Sequence, residues 1–353
     1  MTPLGERLKR LIASAGPISV AEYMAACLFD PDHGYYTTRE PFGASGDFVT
    51  APEISQMFGE LLAVRIYAGW VASGKAVPVT LAEVGPGRGT LMIDMLRTLD
   101  RLDPAFIALA RIALVEASPR LTEIQRQRLA KGGRARPRWF TELSQVPETA
   151  LLLVANELFD AVPTRQFVKT AAGWRERMVA IDDSGDLAFA AGATGIDSAL
   201  LPDGAHSAPE GSLLEISPAR EAMMQSICER IARHGGLALL IDYGYTVPPF
   251  GDTLQALRRH ASEDVLASPG EADLTTHVDF SALGRVAEAA GLKASIHTQG
   301  EFLLSAGLLE RAGTLGAGKD GATQERLRGE VERLAGPDAM GDLFKVLVVH
   351  RPG

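Results

Sequence analysis

The sequence predicts an α/β protein built on a doubly wound, mostly parallel seven-stranded sheet, with a helical N-terminal region and a β-rich insertion. Three observations carry that prediction. Short, continuously apolar runs alternate with segments of helical spacing, as in a parallel sheet covered on both faces. One run ends in the glycine-rich stretch Glu83-Val84-Gly85-Pro86-Gly87-Arg88-Gly89 and leads into the helical spacing of Leu91, Met92, Met95 and Leu96. Between Arg165 and Ser212 the rhythm changes to strict alternation, the mark of half-buried antiparallel strands.

The elements follow in order. Residues 1–75 read as helical. Leu4, Leu8 and Leu11 share one helical face, Ser19 and Glu22 form a capping box, and the Asp30-Pro31 pair ends the helix that follows. After a loop containing Gly43, Gly46 and Asp47, Thr50 and Glu53 make a second capping box. It opens a helix that carries Phe58, Leu61, Leu62 and Ile66. The core is assigned to 76–164 and 213–353, with strands at 77–84, 111–116, 138–140, 150–155, 236–242, 294–298 and 344–350. Pro119 after Ser118, and Pro218 after Ser217, mark helix starts, while Gly235 marks a helix end. The insertion spans 165–212, with turns at Gly173 and at Asp182-Asp183-Ser184-Gly185.

Bulk properties remove several classes of function. At 46% hydrophobic and 22% charged, the 353-residue chain has the composition of a globular protein. No apolar run reaches the ~18 residues of a membrane span. A net charge of -9 argues against general nucleic-acid affinity and suits a basic peptide, an amine or a guanidinium as partner. Cys27, Cys228 and the seven histidines are scattered, so no metal site is expected. The first residues lack the long apolar core of a signal peptide, and Glu6 fits poorly in a transit peptide; the expectation is a cytoplasmic chain.

Ligands of open α/β sheets bind beyond the carboxyl ends of the strands. The first such end carries Glu83 and the turn Gly85, Pro86, Gly87, Gly89. A dinucleotide fingerprint would require glycine at Thr90, which disfavours a nicotinamide-dependent oxidoreductase. The acidic-x-G-x-G-x-G pattern instead resembles the first motif of class I S-adenosylmethionine-dependent methyltransferases, whose ligand carries an ammonium suited to Glu83. The plainer alternative is a tight turn packing on a sheet. At the second strand end, Glu116 is placed to accept both hydroxyls of a ribose, or is a solvated loop acid.

The fourth strand ends in Asn156-Glu157-Leu158-Phe159-Asp160. Asn156, Glu157 and Asp160 are the candidate catalytic residues, because carboxylates there can hold a guanidinium or amine. Capping of the next turn is the alternative for Asn156 and Asp160. Tyr243 and His277 are candidate substrate contacts, against roles as a packed aromatic and a structural histidine. The capping box explains Thr50 and Glu53 without a ligand, yet Thr50 is retained as a cofactor contact and Glu53 as a substrate contact. Gly46, Asp47 and Gln56 are lesser candidates.

Beyond the glycine motif, the segments 30–36, 46–60, 156–163, 242–244 and 277–280 resemble the MidA-type family. That family includes the mitochondrial complex I assembly methyltransferase, and the likeness spans nearly the whole chain. It implies a class I methyltransferase fold with S-adenosylmethionine at the glycine turn and residues 1–75 covering it. It also implies a protein substrate with an exposed arginine, with symmetric dimethylation of a complex I subunit by the mitochondrial member. A non-catalytic cofactor-binding assembly factor, or a methyltransferase with another acceptor, are the alternatives.

Overall fold

The computed structural model describes residues 2–38, 50–131, 133 and 135–352; Gly43, Gly46 and Asp47 lie outside them. The chain divides into two compact units. The larger holds Val49–Leu158, Met223–Gly244 and Phe280–Gly353, and the smaller holds Met1–Phe48, Phe159–Ala222 and Tyr245–Asp279.

The larger unit is built on seven strands: β1 (Val79–Val84), β2 (Arg111–Val115), β3 (Arg138–Phe140), β4 (Ala150–Asn156), β5 (Gly236–Tyr245), β6 (Lys293–Thr298) and β7 (Phe344–His350). Their order across the sheet is β3-β2-β1-β4-β5-β7-β6. The pairs from β3 to β5 are parallel, whereas β7 runs antiparallel to both β5 and β6. The expected mostly parallel α/β sheet is therefore present. β4 is buried at every position, which is why its sequence is continuously apolar rather than alternating.

Helices α1 (Gln56–Ala72), α2 (Thr90–Leu102) and α3 (Pro119–Leu129) flank the strands. Phe58, Leu62 and Ile66 of α1 share one core with Met92, Met95 and Leu99 of α2 and with Leu152 and Val154 of β4. The Ser118-Pro119 signal is used as read: the Ser118 hydroxyl accepts from the Leu121 N–H, and proline occupies the first turn.

One helix start differs from expectation. Thr50 precedes a single turn, Ala51–Ile54, but its side chain makes no capping hydrogen bond. The chain then extends at Ser55 (φ -155°), whose hydroxyl accepts from Met57 N–H and caps α1. A strong capping residue five positions on wins, because its hydroxyl serves a long packed helix rather than one turn. Glu53 is thereby released from the expected capping box.

In the smaller unit, helices Pro3–Ala15 and Val20–Phe29 share a core through Leu4, Leu8, Ile12, Tyr23, Met24 and Leu28. The Ser19–Glu22 capping box is formed in both directions. Its sheet orders Ile18–Ser19, Gly173–Ile181, Arg165–Thr170 and Leu213–Ile216, with Leu187–Gly195 also against Gly173–Ile181. All its pairings are antiparallel, in agreement with the alternation seen in sequence.

Gly236 opens β5 at φ +113°, and a Cβ there would lie 2.0 Å from the carbonyl oxygen of Leu151 on β4. Gly236→Ala is therefore expected to lower unfolding free energy by about 3 kcal/mol or more, from strain plus overpacking. Urea titration of the purified variant measures this, and a loss under about 1 kcal/mol would contradict the close approach.

Candidate active site

The turn after β1 is shaped by its glycines. Gly85, Gly87 and Gly89 have φ of 68°, 51° and 77°, a region that side chains disfavour. Gly85 N–H donates to the Val115 carbonyl (3.0 Å), and Gly89 N–H closes the turn on the carbonyl of buried Pro86 (2.6 Å). Gly89 is the N-cap of α2, and no side chain caps it. The first-turn N–H groups of a helix lack intrahelical partners, so such an end donates to anionic and lone-pair groups.

Two acids flank this turn. Glu83 is only 3% exposed; it accepts from the Met92 backbone N–H, while its Oε2 is buried without a hydrogen-bond partner. Burial, with a smaller push from the Glu116 charge, raises its carboxyl to about 8. Glu116 follows β2 and is also pushed upward by burial, opposed by hydrogen bonds from Ser118 N–H (2.8 Å) and Gln125 Nε2 (3.1 Å). Gln125 Nε2 also donates to the Gly87 carbonyl at 2.8 Å.

At the end of β4, Glu157 adopts φ +50°, a left-handed conformation rare for a residue with a side chain. Its Oε1 accepts from Asn156 Nδ2 (2.9 Å) and from the Ala51 N–H (3.3 Å). Thr50 thus stands directly before the backbone donor that Glu157 engages. Asn156 Oδ1 is buried without a hydrogen-bond partner. Leu158 N–H donates to the buried carboxylate of Asp242 at 3.1 Å. Glu53 accepts a short hydrogen bond from the Thr90 hydroxyl, which also receives Arg128 Nη1 at 2.9 Å. Glu53 is therefore tied to the helix beyond the glycine turn.

The structure brings Glu83, the turn glycines, Glu116, Asn156, Glu157, Thr50 and Glu53 into the larger unit, at or beside the carboxyl ends of β1, β2 and β4. Tyr243 belongs to the same unit but packs edge-on against Phe344 (5.4 Å between ring centres) in its core.

Asp160 and His277 belong to the smaller unit, where Arg220 links their backbones. The guanidinium donates to the carbonyls of Phe159 (2.6 Å), Asp160 (3.0 Å), Thr276 (3.0 Å) and His277 (2.8 Å). His277 N–H donates to Thr253 Oγ1 (2.9 Å). Sequence reasoning missed Arg220, Gln125 and Asp242. A cue existed for Arg220: a cation in the first turn of a helix opposes the macrodipole, so it has another task. Gln125 had no comparable cue.

A parallel sheet with one antiparallel strand, a glycine turn delivering a helix N-terminus and buried acids on adjoining strand ends define a class I methyltransferase. The sequence model for S-adenosyl-L-methionine-dependent methyltransferases matches residues 61–298. A mouse protein named "Protein arginine methyltransferase NDUFAF7, mitochondrial" is 38% identical, over 98% of this chain and 83% of its own length. The human protein of that name is 35% identical, over 98% and 82%. A crystal structure of a Burkholderia thailandensis protein bound to S-adenosyl-homocysteine superposes with a TM-score of 0.84 at 33% identity, covering 99% of this chain and 92% of that one. The chain belongs to this family of S-adenosyl-L-methionine-dependent methyltransferases.

The cytoplasmic expectation is corrected by these comparisons, since the relatives are named as mitochondrial proteins. The N-terminal pattern behind that expectation has a packing explanation. Leu4, Leu8 and Ile12 are buried, while Leu11, expected on the same face, is 47% exposed. A helix patterned for docking reports packing, not a compartment.

The raised Glu83 carboxyl has a stability consequence. An acid harder to ionise when folded stabilises the fold fully below its unfolded value near 4.5, and that contribution is lost as pH climbs through about 8. In ligand-free protein, the wild-type urea midpoint should therefore fall relative to Glu83→Gln between pH 5 and 9. A difference that stays constant across that range would show that Glu83 is not desolvated.

Proposed function

We propose that this methyltransferase transfers a methyl group to a guanidinium nitrogen of an arginine in a protein. The observation that carries the reading is the end of β4. There a carboxylate, Glu157, is held in a left-handed backbone conformation, and beside it Asn156 offers a buried, unpartnered oxygen. The names of the relatives support the same acceptor, since the chain covers 83% of the mouse protein's length.

The residues at the turn fit the methyl donor on two counts. The unpartnered Glu83 Oε2 is a buried acceptor that an ammonium would satisfy. A Cβ on Gly85 would lie 2.9 Å from Leu158, so glycine keeps that backbone approachable. Glu83 would take the ammonium, Glu116 the ribose hydroxyls, and Gly85, Pro86, Gly87 and Gly89 would present the turn. Thr50 is assigned to the cofactor side as well. When bound, S-adenosylmethionine supplies an electrophilic methyl group on a sulfonium.

The remaining work falls to positioning and proton handling. Glu157 would accept guanidinium N–H groups, a charge-assisted contact strengthened in a dry site. Asn156, whose Nδ2 is engaged by Glu157, would turn Oδ1 toward the reacting nitrogen and orient its lone pair. In-line displacement then gains mainly from proximity and exclusion of water. The guanidinium sheds a proton as it reacts, and an adjacent carboxylate favours that loss. Glu53, in the same unit as Glu157, is assigned to the peptide around the acceptor.

Methyl transfer from labelled S-adenosylmethionine to arginine-containing peptides tests this reading, with S-adenosylhomocysteine affinity measured in parallel. Glu157→Gln is expected to lower turnover by on the order of 100-fold, with the affinity little changed. Wild-type turnover in this variant would remove the Glu157 carboxylate from the mechanism.

A further inference from the structure

Gln125 is completely buried in the middle of α3, and three of its four hydrogen-bonding positions are used. Its Oε1 accepts from the indole N–H of Trp139 on β3 at 2.9 Å. Its Nε2 donates to the Gly87 carbonyl at 2.8 Å and to Glu116 Oε2 at 3.1 Å. The orientation of the amide is not arbitrary. An indole nitrogen can only donate, so the amide oxygen must face Trp139 and the NH2 must face the turn and the acid.

The side chain therefore fastens together two parts of the site that are far apart in sequence. One is the middle of the glycine turn; the other is the acid after β2. Glu116 is held on one oxygen by backbone N–H at Ser118 and on the other by Gln125. Two fixed points on different oxygens set the plane of a carboxylate, whereas one leaves it free to rotate. Trp139 in turn receives the Arg126 guanidinium over its ring, 5.2 Å from the centre.

We infer that Gln125 is a positioning residue that sets the Glu116 carboxylate, and with it the turn carbonyl at Gly87, for a ribose diol. The inference rests on the proposed binding of the nucleoside by Glu116. Its chemistry is specific: a group of the same shape that cannot donate would take this donor away from Glu116 Oε2 and from the Gly87 carbonyl. An acid at 125 would oppose Glu116 with like charge.

The test is calorimetric affinity for S-adenosylhomocysteine and for its 2′-deoxyribose analogue, using full-length wild type, Gln125→Met, Glu116→Gln and the double variant. Gln125→Met keeps the volume and removes the donors, and its ligand-free urea midpoint reports whether it folds. About 10-fold weaker binding of S-adenosylhomocysteine is expected for Gln125→Met. The penalty should shrink to about 2-fold or less for the deoxy ligand, which has lost a hydroxyl for Glu116 to hold. The double variant should bind about as Glu116→Gln alone does. Equal penalties for both ligands, or additive losses in the double variant, would overturn the inference and leave Gln125 a packing residue. Failure of the wild type to bind S-adenosylhomocysteine would instead sink the underlying reading of the site.

Discussion

The site is organised around a carboxyl group that the fold has removed from water without fully compensating it. Glu83 lies at the end of a buried parallel strand, takes one backbone N–H from α2 and leaves an oxygen with nothing to accept from. An unpaired acceptor in such a position costs free energy and persists only when the surrounding structure holds it there. That structure is the sheet itself: β1 is flanked by β2 and β4, and its last residues are fixed by both ladders. The turn, the helix behind it and the second acid all take their places from the same strand ends. Burial raises the Glu83 carboxyl to about 8 and so favours its neutral form. Arrival of a cation changes the balance, favouring the charged form that burial alone opposes.

Around that point, the polar groups form two separate hydrogen-bonded chains within the larger unit. One runs from Trp139 through Gln125 to Gly87 and Glu116. The other runs from Glu53 through the Thr90 hydroxyl to Arg128, which also donates to the Arg88 carbonyl. Both end on the glycine turn, and both involve α3. A turn that must stay open to a ligand cannot be rigidified by packing on its exposed side. Here the rigidity comes from side chains behind it.

Much of the fold was legible in the sequence because its strands are buried on both faces. Continuous apolar runs such as 150–155, which follows Pro147 and ends at Asn156, are short enough to read as buried strands. The acidic-x-G-x-G-x-G spacing located the turn for a related reason, since left-handed backbone positions select glycine. What escaped was decided at a distance. Glu53 looked like half of a capping box with Thr50, but its carboxylate meets Thr90, a partner that local spacing cannot show. Ser55 was read as interior to a helix, and it begins one. Gln125 and Arg220 carry no spacing signature: Gln125 meets Glu116, Trp139 and Gly87 at separations of 9, 14 and 38 residues, and the carbonyls that Arg220 holds lie 56 to 61 residues away. The division of the candidate residues between two units was hidden as well. Glu157 and Asp160 are three positions apart, yet the boundary between the units falls at Leu158 and Phe159.

The sheet order has a bearing on how the molecule is made. β7 lies furthest along the chain of the seven strands, yet it sits between β5 and β6 and hydrogen-bonds to both. During synthesis β6 has no neighbour in this sheet until Phe344–His350 has been translated. Until then β5 shows an open edge on the β7 side, and an unpaired apolar edge invites association. The half of the sheet that carries the glycine turn can assemble early, from contacts among residues 79–156. Closure of the other half requires the last strand, which alone joins β6 to β5.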